Sequence, residues 1–532
     1  MNTHWTREAR YTAFNADSRE RYEALCAQAA ASPWRQRYHV QPPAGLLNDP
    51  NGFCHDGREY HLFYQWFPLG PVHGLKYWQH LTSADLVHYQ TRGIGIAPDT
   101  KWDSHGAYSG SALADGDGLL IAYTGNHRTA AWERIPYQLT ARLDAHGLHK
   151  HEPFLKGAPA GYSEHVRDPK IWREADGSYG IVLGAQRDNE SGTALYLTST
   201  DAQTWQLRGE IDFALPGFGY MWECPDYFPL AGRDVFLCCP QGLPADGDRY
   251  RNIYQSGYFL GTFDKAACRF NHDGFRELDH GFDYYAPQST LGADGERLLI
   301  GWMGLPDTTC PSARDGWAHC LTLPRVLTIE DGQLRQRPLP ALDRLRGEGA
   351  HDGIHYELNL ANPQNHPFIL TLRAGASAKT VLTYNGEALI FDRSQSGALP
   401  EPEKDAPGKG GHIRRLALTQ LHSLRIYADT SSLEIFINDG EAVMTGAIYP
   451  PADATGLHIA AADDATVTVY PIHSTRVYRD IPTLSPNRRR NHHPPHHRSI
   501  IHKNSNKLTP PRTVQPPKGE PHGTLRHWRS PD

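Results

Sequence analysis

The sequence predicts an all-β protein, a five-bladed β-propeller followed by a C-terminal β-sandwich. Three observations carry that prediction. Five similar hydrophobic strands, each following a turn, begin at Tyr60, Leu119, Ser178, Asp234 and Arg297. A spacing of about 55–63 residues, with several strands and no helix per unit, is the size of one propeller blade. Beyond about residue 350, short runs alternate apolar and polar residues at the spacing of an antiparallel sandwich. The composition agrees with many strands and turns. The 532 residues include 49 Gly, 40 Pro, 12 Trp and 26 Tyr. Gly and Pro make up about 17%, against a usual share of roughly 12%. No apolar run approaches the roughly 18 residues that cross a membrane.

Residues 6–30 hold Ala, Glu, Arg and Leu with few breakers, which predicts a short amphipathic helix in an N-terminal extension over 1–34. The blades occupy 35–335. In each, a short polar segment running into an apolar end precedes the hydrophobic strand by about ten residues. These segments are NDPNGF (48–53), YSGSAL (108–113), RDPKIW (167–172), ECPDYF (223–228) and APQSTL (286–291). The first strand of each blade lines a propeller's axis, so five segments far apart in sequence converge on one funnel. The repeat ends near Leu323-Pro324-Arg325, and RQRPLPALDRLRGEGAHDG reads as a linker. The sandwich spans 350–480 through IHYELNL, FILTLRA, TVLTYNGEALIFDR, HIRRLALT, LRIYAD, LEIFIN and TVTVYPI, with NDG (438–440) as a hairpin turn. Residues 481–532 contain ten Pro and ten Lys/Arg without periodicity, a composition that reads as a disordered tail. HHPPHH belongs to that solvated tail rather than to a metal site.

The net charge of −6 hides an asymmetry, +8 over residues 481–532 and −14 over 1–480. It points to neither a nucleic-acid nor a membrane partner. The N-terminus lacks the apolar stretch of a signal peptide. The eight Cys form no C-x-x-C pair, and Cys238 and Cys239 face opposite sides of a strand, so free buried thiols in a cytoplasmic protein are expected. No P-loop, G-x-S-x-G elbow, H-E-x-x-H or dinucleotide fingerprint is present. His61, His80, His88 and His105 are scattered and read as structural or surface residues. Oligomeric state leaves no mark on the sequence.

Three of the five convergent segments carry a carboxylate: Asp49, Asp168 and Glu223. They are expected on corresponding inner positions of three repeats. Acetal hydrolysis needs a proton on the leaving oxygen and stabilisation of an oxocarbenium-like centre, so two carboxyl groups are its minimum equipment. One must stay ionised while the other holds a proton near neutral pH. No metal or organic cofactor is required for that chemistry. Trp66, Trp78, Tyr108, Trp172, Trp222, Tyr227 and Trp302 lie in or beside the same segments. Such rings either stack on a sugar or pack between blades.

LLNDPNG, FYQW, YSGSAL, RDPKIW, MWECPDYF and YYAPQST, in that order, resemble the motif set of glycoside hydrolase family 32 over residues 37–330. RIYADTSSLEIFINDGEAVMTGAIYPP (425–451) is similar to the family's C-terminal sandwich. The resemblance implies retaining hydrolysis of a terminal β-D-fructofuranoside, with sucrose or sucrose 6-phosphate as the small sugar substrate. It makes Asp49 the nucleophile, Glu223 the acid/base and Asp168 an ionised group that holds fructose hydroxyls beside Arg167. Leu46, Leu47, Asn48, Gln65, Trp78, Tyr108, Ser109, Arg167 and Trp302 would bind the sugar, Tyr108 standing where the family often has Phe. PLGPVHGLKYWQH is similar to the family's intracellular members that take sucrose 6-phosphate, which would set His73 and Lys76 near a phosphate, a plain structural role being the alternative for both. Cys224, beside Glu223, either tunes that acid or packs between blades. Fructan hydrolysis, transfructosylation and sugar binding without catalysis are the alternative readings.

Overall fold

The structure is a computed structural model that describes residues 5–404 and 406–473. The basic tail expected over 481–532 lies outside the described residues. The chain is mostly β, with few helices.

The N-terminal segment forms two helices rather than one, Arg7–Arg10 and Arg19–Ala30. The break arises because Phe14 turns inward: its side chain is buried and its N–H donates to the Tyr77 hydroxyl at 2.9 Å.

Five sheets follow in chain order, antiparallel except that Trp317–Ala318 pairs parallel with the start of the first sheet's first strand. The first holds Gly45–His55, Tyr60–Phe67, Tyr77–Ser83 and Tyr89–Ile96. Each later sheet also opens with a long first strand: Ala107–Asp115, Tyr162–Arg173, Met221–Leu230 and Tyr285–Leu291. The fifth ends with Arg325–Glu330 and Gln333–Pro338, so residues read from sequence as the start of a linker complete that sheet. The remainder of the linker holds a 3-10 helix, Pro340–Leu345.

The five first strands contain the five polar segments, and they contact one another in a closed ring, the fifth returning to the first. A first strand is an edge, whose backbone groups lack a ladder partner on the axial side. Side chains supply the missing partners. Asn51 Oδ1 accepts from Gly110 N at 3.1 Å, and Ser111 Oγ donates to the Pro169 carbonyl at 2.8 Å. Lys170 Nζ donates to Asp226 Oδ2 at 2.9 Å, and Asp226 Oδ2 accepts from Ser289 N at 2.7 Å. Gln288 Oε1 closes the circle by accepting from Phe53 N at 2.8 Å. Apolar layers fill the gaps between neighbouring sheets, such as Phe63, Trp78 and Tyr123, or Val182, Trp222 and Phe236.

Residues 356–471 form two five-stranded antiparallel sheets. Leu358, Ile426 and Ile435 from one and Leu370, Leu382 and Phe391 from the other share one buried core. Asn438 and Asp439, both at positive φ, turn the expected hairpin between Ser432–Ile437 and Ala442–Ala447. Gly456–Ala460 is a further strand that its weak alternation concealed.

Candidate active site

Each of the five first strands carries one extra residue at the same place. Leu47 and Pro50 face Trp66 and Tyr64, so three steps on one strand match two on the other. The same bulge lies between Ala107 and Gly110, Arg167 and Lys170, Glu223 and Asp226, and Tyr285 and Gln288. Bulges re-aim side chains beside active sites. The residues left between the flanking pairs are Asn48-Asp49, Tyr108-Ser109, Asp168-Pro169, Cys224-Pro225 and Ala286-Pro287, and Arg167, Glu223 and Tyr285 immediately precede the last three. Asp168, Cys224 and Ala286 take positive φ (66°, 46° and 48°) at equivalent positions. The register corrects one expectation. The three acids fall in three successive rows. Glu223 stands with Leu47, Ala107, Arg167 and Tyr285, Asp168 one residue later with Asn48, Tyr108, Cys224 and Ala286, and Asp49 one later again, with Ser109 and Pro169.

All three carboxylates line one cavity of about 480 Å³, together with Asn48, Gln65, His73, Lys76, Tyr108, Arg167 and Trp302. Ser109 lies directly behind Asp49, donating to its Oδ2 and accepting from Gln65. Asn48 Nδ2 donates to Asp49 Oδ1 at 3.1 Å and to Gln65 Oε1 at 3.0 Å. Glu223 is held from both sides. Arg167 Nε and Nη2 reach its Oε1 at 3.1 and 2.7 Å, while Gln241 Nε2 and the Tyr285 hydroxyl reach Oε2 at 2.8 and 2.6 Å. Asp168 Oδ2 accepts the Cys224 N–H at 3.0 Å. The Trp302 indole N–H is buried without a hydrogen-bond partner among the described residues, and so is left for a ligand in the cavity that its side chain lines.

Burial dominates the electrostatics. It pushes Asp168 up to about 7, against the pull of the Arg167 guanidinium and with help from Glu223 and Asp49. Asp49 also rises by burial, opposed by its bond from Ser109. Burial lowers Lys76 to about 7, although Asp49 favours its charged form. A set of buried carboxyls with one lysine among them can hold or release a proton near neutral pH.

Three sequence expectations need correction. Trp78 is fully buried between sheets, its indole N–H donating to the Tyr108 carbonyl at 3.1 Å, and does not line the cavity. Leu47 is likewise buried in the core, and Leu46 borders a neighbouring pocket. Lys76 lines the cavity, its ammonium donating to Asn48 Oδ1 at 2.6 Å at the carboxylate end. Cys224 does more than pack, its thiol lying 3.6 Å from Asp49 Oδ2 and 3.7 Å from Asp168 Oδ2. Burial pushes that thiol well up, so it remains protonated. Of the aromatic residues, Trp66, Trp172, Trp222 and Tyr227 pack in cores, while Tyr108 and Trp302 face the cavity.

Sequence reasoning missed Tyr285, whose place in the bulge row of Glu223 and Arg167 would have revealed it. It also missed Gln241, Arg134 and His165, and, from the N-terminal helix and the turn after it, Arg10 and Tyr11, all of which line the cavity. Nothing in the local pattern marks those residues.

Comparison with known proteins is consistent along the whole folded chain. Residues 39–338 match the glycosyl hydrolases family 32 N-terminal domain, and 333–478 match the glycosyl hydrolases family 32 C-terminal domain. A sucrose-6-phosphate hydrolase of Staphylococcus xylosus is 46% identical over 475 residues, covering 85% of this chain and 95% of its own. That of Bacillus subtilis (strain 168) is 39% identical over 434 residues, covering 79% and 90%. The structure of sucrose-6-phosphate hydrolase from Lactobacillus gasseri is similar with a TM-score of 0.83 and 37% identity, over 89% of this chain and 100% of that one. A GH32 β-fructofuranosidase from Bombyx mori gives 0.75 and 30%, over 86% and 98%.

Proposed function

Because this chain belongs to glycoside hydrolase family 32, we propose that it is a β-fructofuranosidase that hydrolyses sucrose or sucrose 6-phosphate with net retention. The observation that carries the reading is the convergence of Asp49, Asp168 and Glu223, from three separate sheets, on one cavity. Relatives named sucrose-6-phosphate hydrolase support the substrate class. The ring of five sheets is read as a five-bladed propeller with the cavity at its axis, and the two C-terminal sheets as the sandwich. The first domain then runs from 35 through Pro338, where its fifth sheet ends, and the second over 350–480, after an extension over 1–34. Eight unpaired cysteines suit a cytoplasmic setting.

In the first step Asp49 attacks the anomeric carbon of the fructosyl unit. The glycosidic C–O bond breaks as Glu223 delivers a proton to the leaving oxygen. Water then attacks the fructosyl–Asp49 ester, Glu223 takes its proton, and the Asp49 carboxylate departs. Asn48, Gln65 and Ser109 hold Asp49 in place. Arg167, Gln241 and Tyr285 fix the Glu223 carboxyl, which limits the geometric search at each proton transfer. Asp168, Asn48 and the Trp302 N–H are set to bind fructose hydroxyls.

Fructose release from sucrose and from sucrose 6-phosphate by the full chain tests the reading. Asp49→Asn should lower kcat by about 10³-fold or more. Near-normal turnover in that variant would assign the nucleophile elsewhere. The configuration of the first-formed fructose, followed by NMR, checks retention.

A further inference from the structure

Lys76 donates to Asn48 at the carboxylate end of the cavity, and further cations line the cavity away from it. They lie on one wall. Arg134 lines the cavity beside Arg10, Tyr11, Tyr108 and His165. Arg134 Nη1 donates to His165 Nδ1 at 3.1 Å, and the same nitrogen accepts from Arg167 Nη1 at 2.9 Å. Arg167 is neutralised by Glu223, but Arg10, Arg128 and Arg134 make no ion pair among the described residues. Arg10 reaches the His73 carbonyl at 3.0 Å, and Arg128 reaches the Trp132 carbonyl at 2.9 Å. The Nε groups of Arg128 and Arg134 are buried with no hydrogen-bond partner among the described residues.

Arg10 and Arg134 line the cavity beside Tyr11, and Arg128 and Tyr11 both meet the Trp132 ring. The acidic group that acts on Arg134 is Glu164, an exposed side chain 3.7 Å from His165 Nε2. His165 cannot add charge: burial, Arg167, Arg134 and Arg128 hold it down to about 3. Trp132 fastens the wall together. Arg7 lies 4.1 Å and Arg128 5.4 Å from its ring centre, and Tyr11 meets it edge-on at 5.1 Å. Partly buried guanidinium groups without counter-ions are costly unless an anion joins them.

We infer that Arg134, flanked by Arg10 and Arg128, binds the phosphate of a sugar phosphate ester whose fructosyl unit sits at Asp49. A phosphate dianion offers three acceptor oxygens to the forked donors of arginine. The inference rests on the β-fructofuranosidase reading of the same cavity, and adds the side chains that would select a phosphorylated substrate.

Specificity constants for sucrose 6-phosphate and sucrose, measured on the full chain, test it. The wild type should prefer the phosphate ester, and glucose 6-phosphate should inhibit more tightly than glucose or inorganic phosphate. Arg134→Gln should lower the preference about 10- to 100-fold, with Arg134→Lys intermediate. Arg10→Gln, on a separate segment, should lower it in the same direction, so the test does not hang on one variant's folding. An unchanged preference in both Gln variants overturns the assignment, as does an equal loss on both substrates. Inorganic phosphate inhibiting as tightly as glucose 6-phosphate also overturns it. A wild type that releases fructose from neither substrate would instead sink the underlying reading.

Discussion

Asp168 shows how one site serves chemistry at the expense of stability. It titrates at 3.8 in its ordinary state and near 7 here, so between those values the folded chain holds more proton than the unfolded one. Stability from this group therefore falls as pH rises from about 4 through 7. Asp168→Asn removes the buried charge while an amide oxygen can still accept the Cys224 N–H. Its Tm should exceed that of wild type by a few degrees at pH 8 and by less at pH 5, while turnover collapses. A variant less stable than wild type at pH 8, in parallel thermal scans, would contradict this. Lys76 works in the opposite sense. Its folded value near 7 lies below its ordinary 10.5, so its contribution improves as pH rises across that interval. Tyr285→Phe tests the grip on Glu223. Loss of the 2.6 Å bond should reduce kcat about tenfold and shift one limb of the pH–rate profile.

At the scale of elements, the working unit is the bulged first strand, repeated five times. The extra residue explains why chemistry falls at the same point of each sheet, and why a proline follows in four of the five: Pro50, Pro169, Pro225 and Pro287. Proline needs no ladder partner, and an inner edge tolerates it. Strain is part of the arrangement, since L-residues at positive φ are disfavoured. Ala286 is buried at φ 48°. Ala286→Val should cost about 2 kcal/mol or more in denaturant unfolding and lower activity by moving Tyr285. Ala286→Gly should stay within about 1 kcal/mol of wild type.

At the scale of the molecule, a buried ionic network joins the N-terminal segment, the fifth sheet and the C-terminal sheets. Arg325 Nη2 meets Glu434 at 2.8 Å and its Nη1 meets Asp279 at 3.3 Å. His39 bridges Asp429 at 2.8 Å and Glu434 at 3.1 Å. Burial alone would lower His39, but its bonds to Asp429 and Glu434 raise it to about 9. Since its ordinary value is 6.5, the stability it contributes is complete below that pH and lost as pH rises through 9. Thermal scans from pH 6 to 10 should show this loss in wild type and not in His39→Gln. Arg325→Leu leaves buried Asp279 without its counter-ion and Glu434 with His39 alone, and should cost about 3–5 kcal/mol.

The sequence by itself determined the strands, the five-fold repeat and the three carboxylates, because period-two patterning and turn chemistry are local and recur at fixed spacing. It placed Asp49, Asn48 and Gln65 correctly in one cavity, since each lies in or opposite a first strand. It could not separate Trp78, buried between sheets, from Trp302, which faces the cavity, because both are aromatic residues in second or third strands. Only the tertiary structure decided which charges are free. Arg134 makes no ion pair among the described residues although five acidic residues, Glu133, Asp144, Glu152, Glu164 and Asp168, lie within the sequence stretch 133–168. Burial and ion pairing depend on chain segments hundreds of residues apart, and no local pattern records them.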